Sequence, residues 1–342
     1  MSVLDHLHQK AWIEVYPDNG LVTDWYIHSI GDVIAGLGFS VEYVDDCTKV
    51  GNRRQDVFFV SIAKSAAILA ASGCKHMFFW AQGLAPEEDY LRFNNKFRRQ
   101  AFAICEKVAL SKSDRIFMVS NAMCRFFEEK YGLSLSRKSF IAPCCNEVIH
   151  PETFMVPGKY DHPVFTYAGG LSKYQCIDKM LDLFAQIQER IPAAELLFYT
   201  WDVDTARGYV SKHGLANVTI ESKRQEELSL ALGRAKYGFV VRDDIAVNRV
   251  ATPTKISTYM ANGVIPVVSS CVGDFAEFSQ RLEHVICCPA GDMVDEIEAM
   301  ELRNVSAIEM LTEYQLFFDE YFDLRKKGKA IAEFLASSVT CS

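Results

Sequence analysis

The sequence predicts an α/β protein made of two doubly wound, Rossmann-like domains facing each other across a cleft. Three observations predict it. Short apolar runs alternate with helical patterns, the series restarts once, and a proline-rich stretch separates the two series. The 342 residues also exceed the ~250–300 at which a single core stops growing.

The first series opens with AWIEVY (11–16), an apolar run stopped by the turn residues Pro17, Asp18, Asn19 and Gly20. Ile27, Ile30, Ile34 and Leu37 then recur at helical spacing, with Thr23 or Asp24 as N-cap and Gly38 as the stop. SVEYV and the runs 56–62, 76–81, 115–120 and 138–143 read as further strands, with helices over 88–110 and 120–131 among the segments between them. Residues 1–150 form the first expected domain. Pro151, Pro157, Gly158 and Pro163 mark 151–163 as a linker.

The second series occupies 164–303. Its strands are VFTYAGG, AELLFYT, NVTIES, YGFVVRDD, the strand of VNRVATPTKISTYMANGVIPVVSS (247–270) and HVICCPA. Helices fall at 176–190, 205–213, 225–235 and within 247–270. The remaining 304–342 is helical, carries Tyr314, Phe317, Phe318, Tyr321 and Phe322 as a core face, and is expected to pack back toward the first domain.

Net charge is −8, split as 17 Lys/Arg against 18 Asp/Glu over 1–158 and 19 against 26 over 159–342, which argues against a dedicated nucleic-acid binder. The 11 cysteines contain no Cys-x-x-Cys and suit a reducing compartment. Neither a signal peptide nor a membrane-length apolar run is evident, so a soluble cytoplasmic protein is expected.

A doubly wound sheet invites a nucleotide, but the common signatures are absent. Gly36 and Gly38 lack the third glycine of a dinucleotide fingerprint and precede a strand rather than a helix. There is no P-loop and no nucleophile elbow. WDVD (201–204) reads either as a metal-binding Asp-x-Asp or as solvated, helix-capping acids.

The phosphate candidates lie elsewhere. Gly169 and Gly170 end a strand with bare backbone, and Lys173 follows within reach. Pro253 suits the first position of a helix whose free N–H groups, at Thr254, Lys255 and Ile256, converge with the Lys255 ammonium. Arg242 stands at the carboxyl end of a strand, where open α/β sheets bind ligands. Three cations, Lys173, Arg242 and Lys255, at one end of one sheet suit a diphosphate.

In this order, YAGGLSKYQ, NVTIESKRQEELSLALGRAKYGFVVRDD and VATPTKISTYMANGVIPVVSS resemble the donor domain of retaining GT-B glycosyltransferases, especially glycosyltransferase family 4. The segment ALSKSDRIFMVSNAMCRFFEEKYGLSLSRKSFIAPCCNEV resembles the end of that family's first domain, so the likeness covers nearly the whole chain. The resemblance implies sugar transfer from a nucleotide diphosphate sugar to a glycan or lipid-linked acceptor, with retention, in surface polysaccharide or glycan assembly. It implies Lys173, Arg242 and Lys255 as catalytic cations. Donor contacts fall on Gly20, Gly169, Gly170, Asn248, Pro253, Thr254 and Thr258. Gln82, Gly83, Glu87 and Glu88 fall on the acceptor side, where Glu87 and Glu88 read equally well as first-turn helix acids. No metal and no cofactor beyond the co-substrate is implied.

The sequence departs from the family at Val250 and Thr258, where two glutamates are common, and at Gly170, where many members have arginine. A sugar-nucleotide epimerase, which shares the fold, stands as one alternative, and the missing glutamates motivate another, an inactive sugar-nucleotide-binding homologue. Segment 90–102 alternates aromatics with Arg92, Lys96, Arg98 and Arg99, and reads either as a plain amphipathic helix or as a peripheral contact with an anionic membrane.

Overall fold

The computed structural model describes residues 9–15 and 24–339. The chain forms two compact units, one of residues up to Asn146 with Phe322 onward, the other of Glu147–Tyr321.

The first unit begins with β1 (Lys10–Glu14), α1 (Asp24–Gly36), β2 (Ser40–Val44), β3 (Val57–Val60), α2 (Ala63–Ala71) and β4 (His76–Ala81). It continues with α3 (Ala85–Phe93), α4 (Lys96–Lys112), β5 (Arg115–Met118), α5 (Asn121–Tyr131) and β6 (Ser139–Ile141). The sheet is parallel, in the order β2-β1-β3-β4-β5-β6. The helix expected over 88–110 is in fact two. Asn94 adopts a left-handed φ of 49°, and the Asn95 side chain caps α4 by accepting from the Phe97 and Arg98 amides at 3.0 and 3.1 Å.

In the second unit come α6 (Pro151–Phe154), β7 (Val164–Ala168), α7 (Ile177–Arg190), β8 (Glu195–Tyr199), α8 (Val203–His213), β9 (Val218–Glu221) and α9 (Gln225–Leu232). They are followed by β10 (Tyr237–Val240), α10 (Ala246–Arg249), α11 (Thr254–Ala261), β11 (Ile265–Ser269) and α12 (Phe275–Phe278). The unit ends with β12 (Ile286–Cys288), α13 (Met293–Glu301) and α14 (Ala307–Phe317). Its parallel sheet runs β12-β11-β10-β7-β8-β9. Every residue of β10 and β11 is buried, as strands covered on both faces require.

The segment expected as a linker, 151–163, is instead a brace on the C-terminal end of α11. The His150 amide donates to the Ala261 carbonyl (2.8 Å), the Lys159 ammonium to the Asn262 carbonyl (2.6 Å), and the Tyr160 hydroxyl to the Gly263 carbonyl (3.0 Å). The Ala261 carbonyl is one that a helix end leaves unpaired, and Asn262 and Gly263 follow directly past that end. Proline content alone suggested a tether, but Phe154 is fully buried here and anchors the segment.

The region 304–342 also divides. Tyr314, Phe317, Phe318 and Tyr321 are buried in the second unit, Tyr314 donating to the His284 carbonyl at 2.5 Å. A π-helical turn over Phe318–Phe322 carries the chain back to the first unit. There α15 (Gly328–Val339) buries Ile331 and Leu335, and its Phe334 carbonyl accepts from Arg115 at 2.7 Å. Among the described residues no helix is long and apolar enough to cross a membrane.

Candidate active site

In the second sheet β7 lies between β8 and β10, so connections leave its carboxyl end and that of β10 in opposite directions. That divergence opens the crevice in which doubly wound sheets hold ligands. Gly169 follows β7 directly and adopts φ +150°, with its amide on the Tyr199 carbonyl at 2.9 Å. A Cβ at Gly169 would stand 2.6 Å from Lys255 Cε and 2.7 Å from its Nζ. Glycine is therefore required both by the backbone and by the side chain that crosses it.

Lys255 projects from the first turn of α11. Pro253 is the cap rather than the first helical residue, and its carbonyl accepts from the Ile256 amide at 3.0 Å, so Ile256 is not among the free donors expected there. The Lys255 ammonium lies 5.0 Å over the Tyr167 ring and donates to Gln175 Oε1 at 2.7 Å. Arg242, just past the end of β10, gives Nη2 to the same oxygen at 2.5 Å and Nη1 to the Gln175 backbone carbonyl at 3.1 Å. The Tyr167 hydroxyl approaches that oxygen at 3.3 Å and donates to the Gly170 carbonyl at 2.5 Å.

Two cations thus share one neutral oxygen, and neither forms an ion pair among the described residues. Burial pushes the Lys255 ammonium well below its ordinary pKa, and the Arg242 charge adds to the effect. Burial lowers Arg242 likewise. An anion at this point would relieve both penalties, because it supplies the negative charge that desolvated cations lack.

The remaining predicted residues fall around this pair. Lys173 is not brought to it. Its side chain is exposed on the short turn Lys173–Gln175, without an ion pair among the described residues. Asn248 is buried, and its side-chain amide closes the 243–248 loop by donating to the Asp243 carbonyl at 2.9 Å. The Thr254 carbonyl accepts from the Ser257 hydroxyl within the first turn of α11. Thr258 and Val250 are both buried. In WDVD, Asp202 caps α8 through the Thr205 amide (3.2 Å) and Asp204 pairs with Arg207 (3.0 Å), which fits the capping alternative. Gly20 lies outside the described residues.

Sequence reasoning missed Gln175 and Tyr167. Tyr167 and Tyr259 had the pattern of core residues, and both are buried. Yet the Tyr259 hydroxyl accepts the Ala168 amide at 3.0 Å, and its ring fills the space a Gly238 side chain would need. α11 is thereby seated against β7 and β10.

In the first unit a separate cavity of about 190 Å³ opens beside the carboxyl ends of β3 and β4, lined by Ser61, Phe79, Gln82, Gly83, Glu88 and Phe127 among others. Ser61 Oγ and Gln82 Nε2 are buried without a hydrogen-bond partner among the described residues. Glu88 Oε1 accepts from the Leu84 amide at 3.1 Å, and burial raises its carboxyl's pKa. Glu87 does not line this cavity. Its carboxylate pairs with Lys130 at 3.0 Å and Arg99 at 3.3 Å, tying α3 to α4 and α5.

Solved structures with similar architecture decide the fold. Sucrose-phosphate synthase from Thermosynechococcus elongatus superposes with a TM-score of 0.71 at 14% identity, covering 98% of this chain and 100% of its own. HepE from Anabaena, solved in complex with UDP, gives 0.66 at 12% identity over 96% of this chain and 100% of its own. The fold is that of the GT-B glycosyltransferases. A point mutant of TarM from S. aureus, solved with Fondaparinux, alpha-GlcNAc-glycerol and UDP, shares this GT-B architecture with a TM-score of 0.61 at 10% identity. It covers 83% of this chain, which spans only 55% of the TarM chain. No protein-family model and no curated protein matches the sequence.

Proposed function

We propose that the chain transfers a sugar from a nucleotide diphosphate sugar to an acceptor hydroxyl, with retention of configuration, in glycan or surface polysaccharide assembly. One observation carries this reading. Lys255, which crosses Gly169, and Arg242, two desolvated cations lacking a counter-charge, converge on Gln175 Oε1 at the strand-order reversal of the second sheet. The similar structures with UDP bound support it.

In the proposed reaction, negative charge grows on the departing diphosphate as the sugar becomes oxocarbenium-like. Fixed donors aimed at that charge are each worth ~2.7–4 kcal/mol. Lys255, Arg242 and the first amides of α11 take that role, so no metal is required of the protein. The leaving phosphate accepts the acceptor's proton, and no protein base is assigned. Lys173 is left out of the catalytic set because its side chain stands exposed. The second unit is assigned the donor. The first is assigned the acceptor, whose hydroxyls suit the unpartnered Ser61 Oγ and Gln82 Nε2.

Peripheral membrane contact through α3 and α4 belongs to the same proposal. Phe93 and Phe97 are 50% and 90% exposed, beside the exposed Arg92 and Lys96. Arg98 and Arg99 are paired with Asp89 and Glu87, so the free charge is smaller than the sequence suggests. A second reading, donor binding without turnover, is favoured by Val250 and Thr258, which put no carboxylate where a ribose diol is commonly held.

Incubation with radiolabelled nucleotide sugars, with and without lipid-linked acceptors, tests the reading. Acceptor-dependent transfer that is lost in Lys255→Ala supports it. Conversion of donor to an epimer without acceptor, or an unchanged rate in Lys255→Ala, refutes it.

A further inference from the structure

The ladder between β7 and β10 stops early. Phe165 pairs with Tyr237 and Thr166 with Gly238, and there the pairing of these two strands ends. Each strand stays paired on its outer side, β7 with β8 as far as Ala168 and Tyr199, β10 with β11 as far as Val240 and Val268. The carboxyl ends of the two strands are therefore parted while both edges of the gap are held. A buried amide facing such a gap still needs an acceptor, because leaving it unpaired is costly.

Tyr259 supplies that acceptor. The Ala168 amide, which a continued ladder would give to a β10 carbonyl, donates instead to the buried Tyr259 hydroxyl at 3.0 Å. The ring lies across β10, where a Cβ on Gly238 would stand 2.5 Å from its Cδ2. Gly238 has no left-handed backbone, so it is the ring that demands glycine there. One turn earlier on the same face of α11 stands Lys255, whose side chain crosses Gly169, the residue after Ala168. The helix thus grips the end of β7 at two successive residues. The ring serves the core, and the hydroxyl fills the place of a strand.

We propose that Tyr259 is a positioning residue for the anion site, a wedge that parts the ends of β7 and β10 and so fixes Lys255 over Gly169. The inference rests on the anion site assigned above. Without the hydroxyl, the Ala168 amide becomes free to pair with β10, the gap narrows, and the Lys255 side chain loses its place. Tyr259 touches no reacting group in this role and acts through Lys255.

The test is titration calorimetry of inorganic pyrophosphate on the full chain, with Tyr259→Phe, Lys255→Ala, the double variant and Tyr314→Phe. Tyr259→Phe keeps the ring and should weaken pyrophosphate by about 5- to 150-fold, the range of a coupling between two sites. In the Lys255→Ala background the same change should cost no more than about twofold, because the residue it positions is gone. Tyr314→Phe removes another buried hydroxyl of the same unit, the donor to the His284 carbonyl. It should lower the melting temperature and leave pyrophosphate affinity within about twofold.

Hydrogen exchange on the wild type tests the wedge without any substitution, should Tyr259→Phe fail to fold. Coupling is reciprocal, so pyrophosphate should slow exchange of the Ala168 amide more than that of the Leu196 amide, which pairs with the Asn217 carbonyl. Equal slowing of the two amides would overturn the wedge. Wild-type pyrophosphate affinity in Tyr259→Phe would overturn it while leaving the anion site standing. Additive losses in the double variant, or an equal loss in Tyr314→Phe, would overturn it too, since Tyr259 would then only stabilise the unit. Failure of the wild type to bind pyrophosphate would overturn the anion site and the wedge together.

Discussion

The Lys255 ammonium donates at 2.7 Å to the side-chain oxygen of Gln175, the oxygen that also receives the Arg242 guanidinium. A carboxamide dipole therefore occupies the point where two positive charges converge, and an entering phosphate oxygen must replace it. Gln175→Glu would put a full negative charge there. The variant should melt at a higher temperature and bind UDP at least about tenfold more weakly, since a hydrogen bond to a charged group is worth about 1.5–3 kcal/mol. Calorimetric titration and a thermal melt read both effects, and wild-type UDP affinity in the variant would contradict the displacement.

The three cations read from the sequence should separate in function. Lys255→Ala leaves Arg242 alone at the crevice and should lower UDP affinity by tenfold or more, within the about 1.5–3 kcal/mol of a charge-assisted contact. Lys173→Ala removes an exposed side chain and should change affinity by less than about threefold, as surface charges do. Comparable losses in the two variants would mean that the Lys173 turn folds over the ligand.

Gly169 and Gly170 should differ sharply on substitution by alanine. At Gly169 the new methyl group meets the Lys255 side chain and forces a backbone of φ +150°, a strain of order 1–3 kcal/mol. At Gly170 the nearest atom is 3.7 Å away, an ordinary contact. Urea unfolding should register a large loss for Gly169→Ala and a change within about 0.5 kcal/mol for Gly170→Ala.

Lys159 makes stability depend on pH. It is 4% exposed and has two carbonyl partners, and burial holds its pKa at about 7 instead of 10.5. Between these values the unfolded chain binds a proton that the folded protein does not. Its contribution is therefore lowest below pH 7, where both states are protonated, and rises toward pH 10.5. The slope is at most about 1.4 kcal/mol per pH unit. Urea unfolding at pH 7 and pH 9 should show a rise that is absent in Lys159→Met, and parallel pH profiles for the two proteins would remove Lys159 as the cause.

The second sheet and its cation pair were legible because parallel strands write themselves as continuous apolar runs. The glycine and proline punctuation of 169–170 and 253 likewise marks strand end and helix start. Less legible were features set by long-range partners. Nothing local distinguishes Gln175 from a polar turn residue, since its importance comes from side chains 67 and 80 residues away. Asn94 and Asn95 could have warned that the helix over 88–110 breaks, because a left-handed asparagine followed by an asparagine cap is a known way to end one helix and start another. The brace over 151–163 was hidden by its prolines, whose turn signal says nothing about whether Phe154 and Lys159 find a pocket.

In chain order, the second unit is an insertion within the first. On the ribosome, the unit that emerges first is completed last, because α1 and β5 wait for α15 to supply Ile331, Leu335 and the Phe334 carbonyl. The inserted unit has all its residues by Tyr321 and can close while its host is still unfinished. A premature stop just past that point would release a complete second unit attached to a first unit lacking its final helix.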